Sequence, residues 1–94
     1  MDARIARRIT IGGRVTGVGF RWHVMKAAER CPDLAGWVRN VGERSVECVV
    51  QGAEQDVELV LQACRRGPFM ARVDDVRVVE IPLDDSLGVF HVGY

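Results

Sequence analysis

A change of hydrophobic period at residues 16–19 most constrains what this chain can fold into. Before that stretch, residues 8–15 alternate between apolar and polar, which is typical of a half-buried strand. Beyond it, apolar residues recur at helical spacing, at Val24, Ala27, Ala28 and Cys31. The stretch itself contains Gly17 and Gly19, which suit a sharp change of direction. The sequence therefore predicts a strand that passes through a glycine-containing loop into a helix.

The rest of the chain continues this alternation of strand and helix patterns. Turn or helix-stop residues bound each predicted element, as Gly42 does between two strands and Gly67-Pro68 does after the second helix. The predicted elements after the first helix are, in order, a strand over 34–41, a strand over 45–51, a helix with the apolar stripe Val57, Val60, Leu61 and Cys64, a strand over 73–81 and a short fifth strand over 88–94.

This order of elements predicts an α+β fold, in which two helices pack on one face of an antiparallel sheet of four to five strands. The arrangement is the ferredoxin-like split βαββαβ sandwich. Because 94 residues suffice for one core and no linker or repeat divides them, we expect a single domain over 1–94. Residues 1–6 are predicted to form a loose N-terminal arm.

The charges of the chain balance, since it has 13 basic and 13 acidic residues. A chain without net charge has no overall field that would attract nucleic acid or an anionic membrane surface. No apolar run approaches the roughly 20 residues that span a bilayer, and the N-terminus lacks the apolar stretch of a secretory signal. We therefore expect a cytoplasmic monomer that binds neither nucleic acid nor membrane.

The cysteines and histidines do not suggest a metal site. Cys31, Cys48 and Cys64 are odd in number, widely spaced and placed at apolar positions, which favours reduced cysteines packed as small hydrophobic residues. His23 and His91 are far apart and have no companion ligands at metal-binding spacing. We expect neither a metal nor a cofactor.

Arg21 occupies an unusual place for a cation, because the first turn of a helix carries partial positive charge. A loop that leads from a strand into a helix directs several backbone N–H groups toward one point, where an anion bound beside Arg21 would remove the conflict. The pattern therefore indicates a phosphate or carboxylate site. Gly17 and Gly19 alone are equally compatible with a tight turn, and Asn40 alone is better interpreted as a turn-initiating residue.

Two motifs together resemble the acylphosphatase family, and the match extends over nearly the whole chain. The first runs through Ile11, Gly13, Val15, Gly17, Val18, Phe20 and Arg21, and the second is Gly36-Trp37-Val38-Arg39-Asn40. Gly67-Pro68 and the pattern Phe90-x-Val92-x-Tyr94 also resemble the family. Thr16 departs from it, standing where the family usually has Gln, and this bears on substrate affinity more than on the type of reaction.

The resemblance implies a hydrolase that converts acyl phosphates, which are carboxylic–phosphoric mixed anhydrides, to carboxylate and phosphate without a metal. It implies that Arg21 and Asn40 are catalytic, with Asn40 orienting the attacking water. The implied phosphate-binding residues are Thr16, Gly17, Val18, Gly19, Phe20 and Arg21. The expected partners are a small-molecule acyl phosphate and inorganic phosphate, as product or competitor. These residue types suit the reaction, because a carboxylate is a good leaving group and phosphoryl transfer depends mainly on positioning and electrostatics.

Other functions are compatible with the same order of elements. The predicted first and third strands lack the aromatic residues of an RNA-recognition domain, and no Cys-x-x-Cys motif supports a metal chaperone. A regulatory domain that binds a small ligand, a catalytically degenerate acylphosphatase-like domain, and a site acting on carbamoyl phosphate for a larger assembly are the alternatives. The sequence does not identify the acyl group.

Overall fold

The computed structural model of the protein describes residues 3–93 and has one five-stranded sheet with two helices on one face. The elements are β1 (Arg4–Arg14), α1 (Phe20–Ala28), β2 (Ala35–Val41), β3 (Ser45–Ala53), α2 (Glu54–Arg66), β4 (Arg72–Glu80) and β5 (His91–Val92). The strand order is β4-β1-β3-β2-β5. The predicted α+β ferredoxin-like fold is confirmed.

The two helices differ in the residues at their ends, and both direct an apolar face into the core. Helix α1 follows directly on Gly19, directs Phe20, Val24 and Ala28 into the core, and ends before Cys31, which is buried just beyond it. Helix α2 has acidic residues in its first turn and basic residues in its last, which suits the helix dipole, and it ends at Gly67. The apolar stripe of each helix faces the sheet, α1 over β2 and β5, and α2 over β1 and β3.

The predicted all-antiparallel sheet is wrong for β5, which pairs with β2 in parallel register, Trp37 with His91 and Val38 with Val92. The cause is the connection before it. Strand β4 lies at one edge of the sheet and β5 at the other, so residues 81–90 cross the sheet on the face opposite the helices and enter β5 in the direction of β2. The strand is also shorter than predicted, and Tyr94 lies outside the described residues.

The predicted loose arm is wrong for residues 4–6, because β1 already begins at Arg4. Strand β3 continues to Ala53 and offers a backbone partner, so that Arg4 pairs with Ala53 and Ile5 with Gly52. Backbone pairing of this kind does not require the apolar alternation from which the sequence prediction began. Residues 1 and 2 of the predicted arm lie outside the described residues.

The core lies between the helices and the sheet. All three cysteines are buried in it as small apolar residues, as the sequence predicts. Its fully buried members include Ile9, Ile11, Val24, Val38, Val46, Cys48, Val50, Val60 and Cys64. Within residues 3–93, no helix is long and apolar enough to cross a membrane.

The face of the sheet opposite the helices is also partly covered, which the sequence did not predict. Val49 and Gln51 point to this face and are nevertheless buried, because residues 81–90 cross over them. The Nε2 of Gln51 donates to the carbonyl oxygen of Asp84 at 3.2 Å, and its Oε1 accepts from the Asp84 N–H at 2.7 Å. One buried amide thus fastens the crossing segment to β3.

Candidate functional site

Four chain segments meet at one end of the molecule. Strands β1, β2 and β5 end there, and β3 and β4 begin there, as the pairings of Gly12 with Ser45 and Arg14 with Arg72 show. The segments are the loop of residues 15–19, the turn of residues 42–44, the loop of residues 67–71, and Gly93. The topology therefore gathers residues that are far apart in the sequence around the start of α1.

The loop of residues 15–19, called the glycine loop below, depends on the backbone freedom of glycine. Gly17 has φ +70° and Gly19 has φ +80°, in the left-handed region that other residues rarely adopt. A Cβ atom at either position would meet nothing within 4 Å. The backbone conformation, rather than crowding, therefore requires these two glycines, and it leaves both of them open to solvent.

The start of α1 carries no side chain that would satisfy or neutralise it. Gly19 is the N-cap, no side-chain cap hydrogen bond is made, and the first turn contains no acidic residue. The first N–H groups of a helix lack partners within the helix and carry partial positive charge. Phe20, buried at the first helical position, anchors this end of the helix. An anion suits the point toward which these N–H groups are directed.

Arg21 lies in this first turn and reaches toward the far edge of the sheet. Its side chain is half-buried, and Nη1 donates to the backbone carbonyl of Gly93, just beyond β5, at 3.3 Å. The guanidinium is therefore held between the start of α1 and the end of β5. The planar guanidinium of an arginine carries several N–H donors, which suits the binding of an anion.

Asn40 lies within β2, where it pairs with Val46 of β3. The turn begins only at Gly42, so the interpretation of Asn40 as a turn-initiating residue is wrong. Side chains alternate along a strand, and Asn40 therefore shares the helix-covered face with buried Val38. At the end of that face the core stops, and Asn40 is exposed.

Thr16 joins the glycine loop to the turn that follows Asn40. Its hydroxyl donates a hydrogen bond to the backbone carbonyl of Glu43. The N–H of Gly13 donates to the carbonyl of Arg44, two residues beyond Gly42, at 3.0 Å. The sequence carries no signal for this link, since the threonine and its partner are separated by 27 positions.

The remaining candidates from the sequence lie outside this arrangement. His23 is half-buried, and its Nε2 lies 3.1 Å from the carbonyl oxygen of Ala63, so that it joins the two helices. Trp37 packs beneath the guanidinium of Arg39, with 4.6 Å between the guanidinium carbon and the ring centre. Among residues 3–93, no three His, Cys, Asp or Glu side chains are grouped as metal ligands would be.

Comparison with known proteins gives a consistent result. The model of the family described as acylphosphatase matches residues 7–92. The chain is 49% identical over 80 residues to an acylphosphatase of Rhizorhabdus wittichii, covering 84% of this chain and 79% of that protein. It is 43% identical over 86 residues to an acylphosphatase of Pseudomonas paraeruginosa, covering 92% and 93%. The crystal structure of the acylphosphatase from Bacillus subtilis superposes with a TM-score of 0.86 at 33% identity, covering 96% of this chain and 99% of that one.

Proposed function

This chain belongs to the acylphosphatase family, and we propose that its glycine loop, Arg21 and Asn40 carry out the family's hydrolysis of acyl phosphates. The substrate class is the carboxylic–phosphoric mixed anhydride, and the products are a carboxylate and phosphate. The geometry of the site and the requirements of phosphoryl transfer support the role proposed for each residue.

The phosphoryl group binds between the glycine loop and Arg21. Backbone N–H groups of residues 17–20 donate to its oxygens at the uncapped start of α1, where the helix adds partial positive charge. The guanidinium of Arg21 donates to the same group, and its planar fork suits two oxygens at once. Thr16 acts through its hydroxyl, which holds the loop against Glu43. Fixed donors of this kind stabilise charge in the transition state without reorganising.

Asn40 orients the water that attacks phosphorus. The water oxygen forms a bond to phosphorus while the bond from phosphorus to the bridging oxygen breaks, and the electron pair of that bond leaves with the carboxylate. Because an amide does not accept a proton at neutral pH, the water proton passes to a phosphoryl oxygen of the substrate. The carboxylate needs no general acid, since it is a weak base.

The position of Arg21 is the single observation that carries this proposal. A cation in the first turn of a helix opposes the helix dipole, yet here it is held in place by the carbonyl of Gly93. A bound phosphoryl group offsets this cost, because it places negative charge between the helix start and the guanidinium.

The balanced charge of the chain supports the absence of nucleic acid as a partner, and its three free cysteines suit the cytoplasm. The enzyme acts as a cytoplasmic monomer on a small molecule, and nucleic acid is not a partner. Size-exclusion chromatography with light scattering tests the monomer, and a nucleic-acid binding assay at low salt tests the absence of that partner.

Hydrolysis of benzoyl phosphate in the presence of a chelator tests the proposed function. We expect metal-independent turnover by the wild type, a large loss in Arg21→Ala and Asn40→Ala, and wild-type turnover in Arg77→Ala, which removes an exposed arginine from the edge strand β4. Thermal denaturation of each variant checks that it is folded. A folded wild type that binds phosphate without turnover would instead indicate a ligand-binding or catalytically degenerate domain.

A further inference from the structure

Two large apolar side chains beside the candidate site are exposed to solvent. Phe69 is 99% exposed and its neighbour Met70 is 60% exposed. Both belong to the loop of residues 67–71, at the site end of the molecule. Exposed apolar side chains on a loop beside a functional site are available to contact a ligand.

The loop of residues 67–71 borders the start of α1. A Cβ atom on Gly67 would lie 3.0 Å from the ring of Phe20, the first residue of that helix. Phe69 is two residues further along, so its backbone lies within roughly 7 Å of Gly67. After this loop the chain enters β4, whose first residue, Arg72, pairs with Arg14 at the end of β1. The two apolar residues therefore flank the glycine loop on the β4 side.

Asn40 lies on the other side of the glycine loop. In the strand order β4-β1-β3-β2-β5, the glycine loop follows β1, Asn40 lies one residue before the end of β2, and residues 67–71 precede β4. Phosphoryl transfer places the attacking and leaving oxygens roughly in line through phosphorus. A water oriented from the β2 side therefore requires the acyl carboxylate to depart toward the β4 side, where Phe69 and Met70 lie.

We infer that Phe69 and Met70 form an apolar rim that receives the acyl group, so that the enzyme prefers acyl phosphates with aromatic or larger aliphatic acyl groups. This inference rests on the proposed function, because it takes the phosphoryl group to lie at the glycine loop and the water at Asn40. The phenyl ring of Phe69 offers a face for stacking, and the flexible thioether of Met70 adapts to acyl groups of different shape. The loop of residues 67–71 itself contains no charged side chain.

The test compares kcat/KM for benzoyl phosphate with kcat/KM for acetyl phosphate. We expect the benzoyl-to-acetyl ratio to fall by about threefold to tenfold when both Phe69→Ala and Met70→Ala are introduced, as for the loss of a partly exposed aromatic contact. Acetyl phosphate hydrolysis should stay unchanged, because an acetyl group is too small to use the rim. The single variant Phe69→Leu should keep most of the wild-type benzoyl-to-acetyl ratio, since leucine retains an apolar surface.

Val89→Ala is the matched control, because Val89 is 77% exposed and pairs with Ala35 at the opposite end of β2. It should leave the ratio unchanged. An unaltered ratio in the double variant, or an equal fall in Val89→Ala, would overturn the rim while the hydrolase activity stands. A folded wild type that hydrolyses neither compound would overturn the proposed function and the rim together.

Discussion

The hydroxyl of Thr16 donates to the backbone carbonyl of Glu43, and this contact joins the glycine loop, the proposed phosphate-binding segment, to the turn that follows Asn40. Glu43 belongs to the turn directly after β2, the strand that ends with Asn40 and Val41. The Thr16 hydroxyl therefore ties the glycine loop directly to the turn after Asn40, beside the backbone contact of Gly13 with Arg44. In-line attack depends on the relative position of the glycine loop and Asn40, because a small misplacement of reacting groups lowers the rate strongly.

Replacing Thr16 with valine removes the hydroxyl and keeps the shape of the side chain. We expect kcat/KM for benzoyl phosphate to fall, and the free energy of unfolding to drop by about 0.5–1.5 kcal/mol, as for the loss of one hydrogen bond. Steady-state kinetics and urea denaturation measure the two effects.

Thr10→Val is the matched control, since Thr10 is a half-buried threonine in β1, upstream of the loop. It should leave kcat/KM unchanged, and Thr16→Ser, which keeps the hydroxyl, should behave as the wild type. Wild-type kinetics in Thr16→Val would show that the link to Glu43 does not position the loop.

Replacing Arg21 separates the need for charge from the need for a planar fork. Arg21→Ala should lower kcat by at least about 10²–10³, as for the removal of one fixed donor to the transition state. Arg21→Lys keeps the charge and loses the two-pronged geometry, so we expect a value between those of the wild type and Arg21→Ala. Benzoyl phosphate kinetics and competitive inhibition by inorganic phosphate measure this order. Equal rates in Arg21→Lys and the wild type would contradict the role of the fork.

Gln51 should contribute more to stability than a polar residue on an exposed strand face. Gln51→Leu leaves the N–H and carbonyl of Asp84 without their buried partner, so we expect a loss of about 1–3 kcal/mol in the free energy of unfolding. Gln62→Leu, at an exposed position on α2 where the amide donates to Glu58, should change stability by less than about 0.5 kcal/mol. Similar values for the two variants in urea denaturation would show that the crossing segment is held by other contacts.

The buried thiols predict a loss of stability at alkaline pH. A hydrogen bond with Cys64, together with burial, raises the pKa of the Cys48 thiol well above its usual value of 9.0. The unfolded chain ionises this thiol near that value while the folded chain keeps it protonated. Below pH 9 the thiol is protonated in both the folded and the unfolded chain, so the stability is fully present. As the pH rises above 9, only the unfolded chain loses the proton, and the free energy of unfolding falls by up to about 1.4 kcal/mol per pH unit for one thiol.

Urea denaturation at about pH 8 and about pH 10 measures this dependence. Cys48→Ala is the control, because it lacks the titrating thiol while all other ionisable groups remain. The difference in stability between the two pH values should be smaller in Cys48→Ala than in the wild type. An identical difference would show that the pKa of Cys48 does not contribute.

The sequence predicts those parts of this molecule that depend on local pattern. Alternation in residues 8–15 and the stripe from Val57 to Cys64 describe single elements that face one core, so β1 and α2 could be located in advance. The parallel pairing of β5 depends on where residues 81–90 run, and no local pattern encodes that path. The burial of Gln51 has the same origin.

In the candidate site, too, the sequence predicts the residues of a local motif but not the contacts between distant segments. Arg21 and the glycines follow from one continuous motif, which the sequence shows directly. The contacts of Thr16 with Glu43 and of Arg21 with Gly93 join residues 27 and 72 positions apart, and they exist only once the sheet is assembled.

The carbonyl that holds Arg21 is adjacent to a strand of two residues at the edge of the sheet. So short an edge strand opens more readily than the core strands, since it buries little apolar surface and shares few hydrogen bonds. Its release would remove this contact of Arg21 while the central strands β1 and β3 stay paired. We therefore expect activity to disappear at a lower urea concentration than helical circular dichroism.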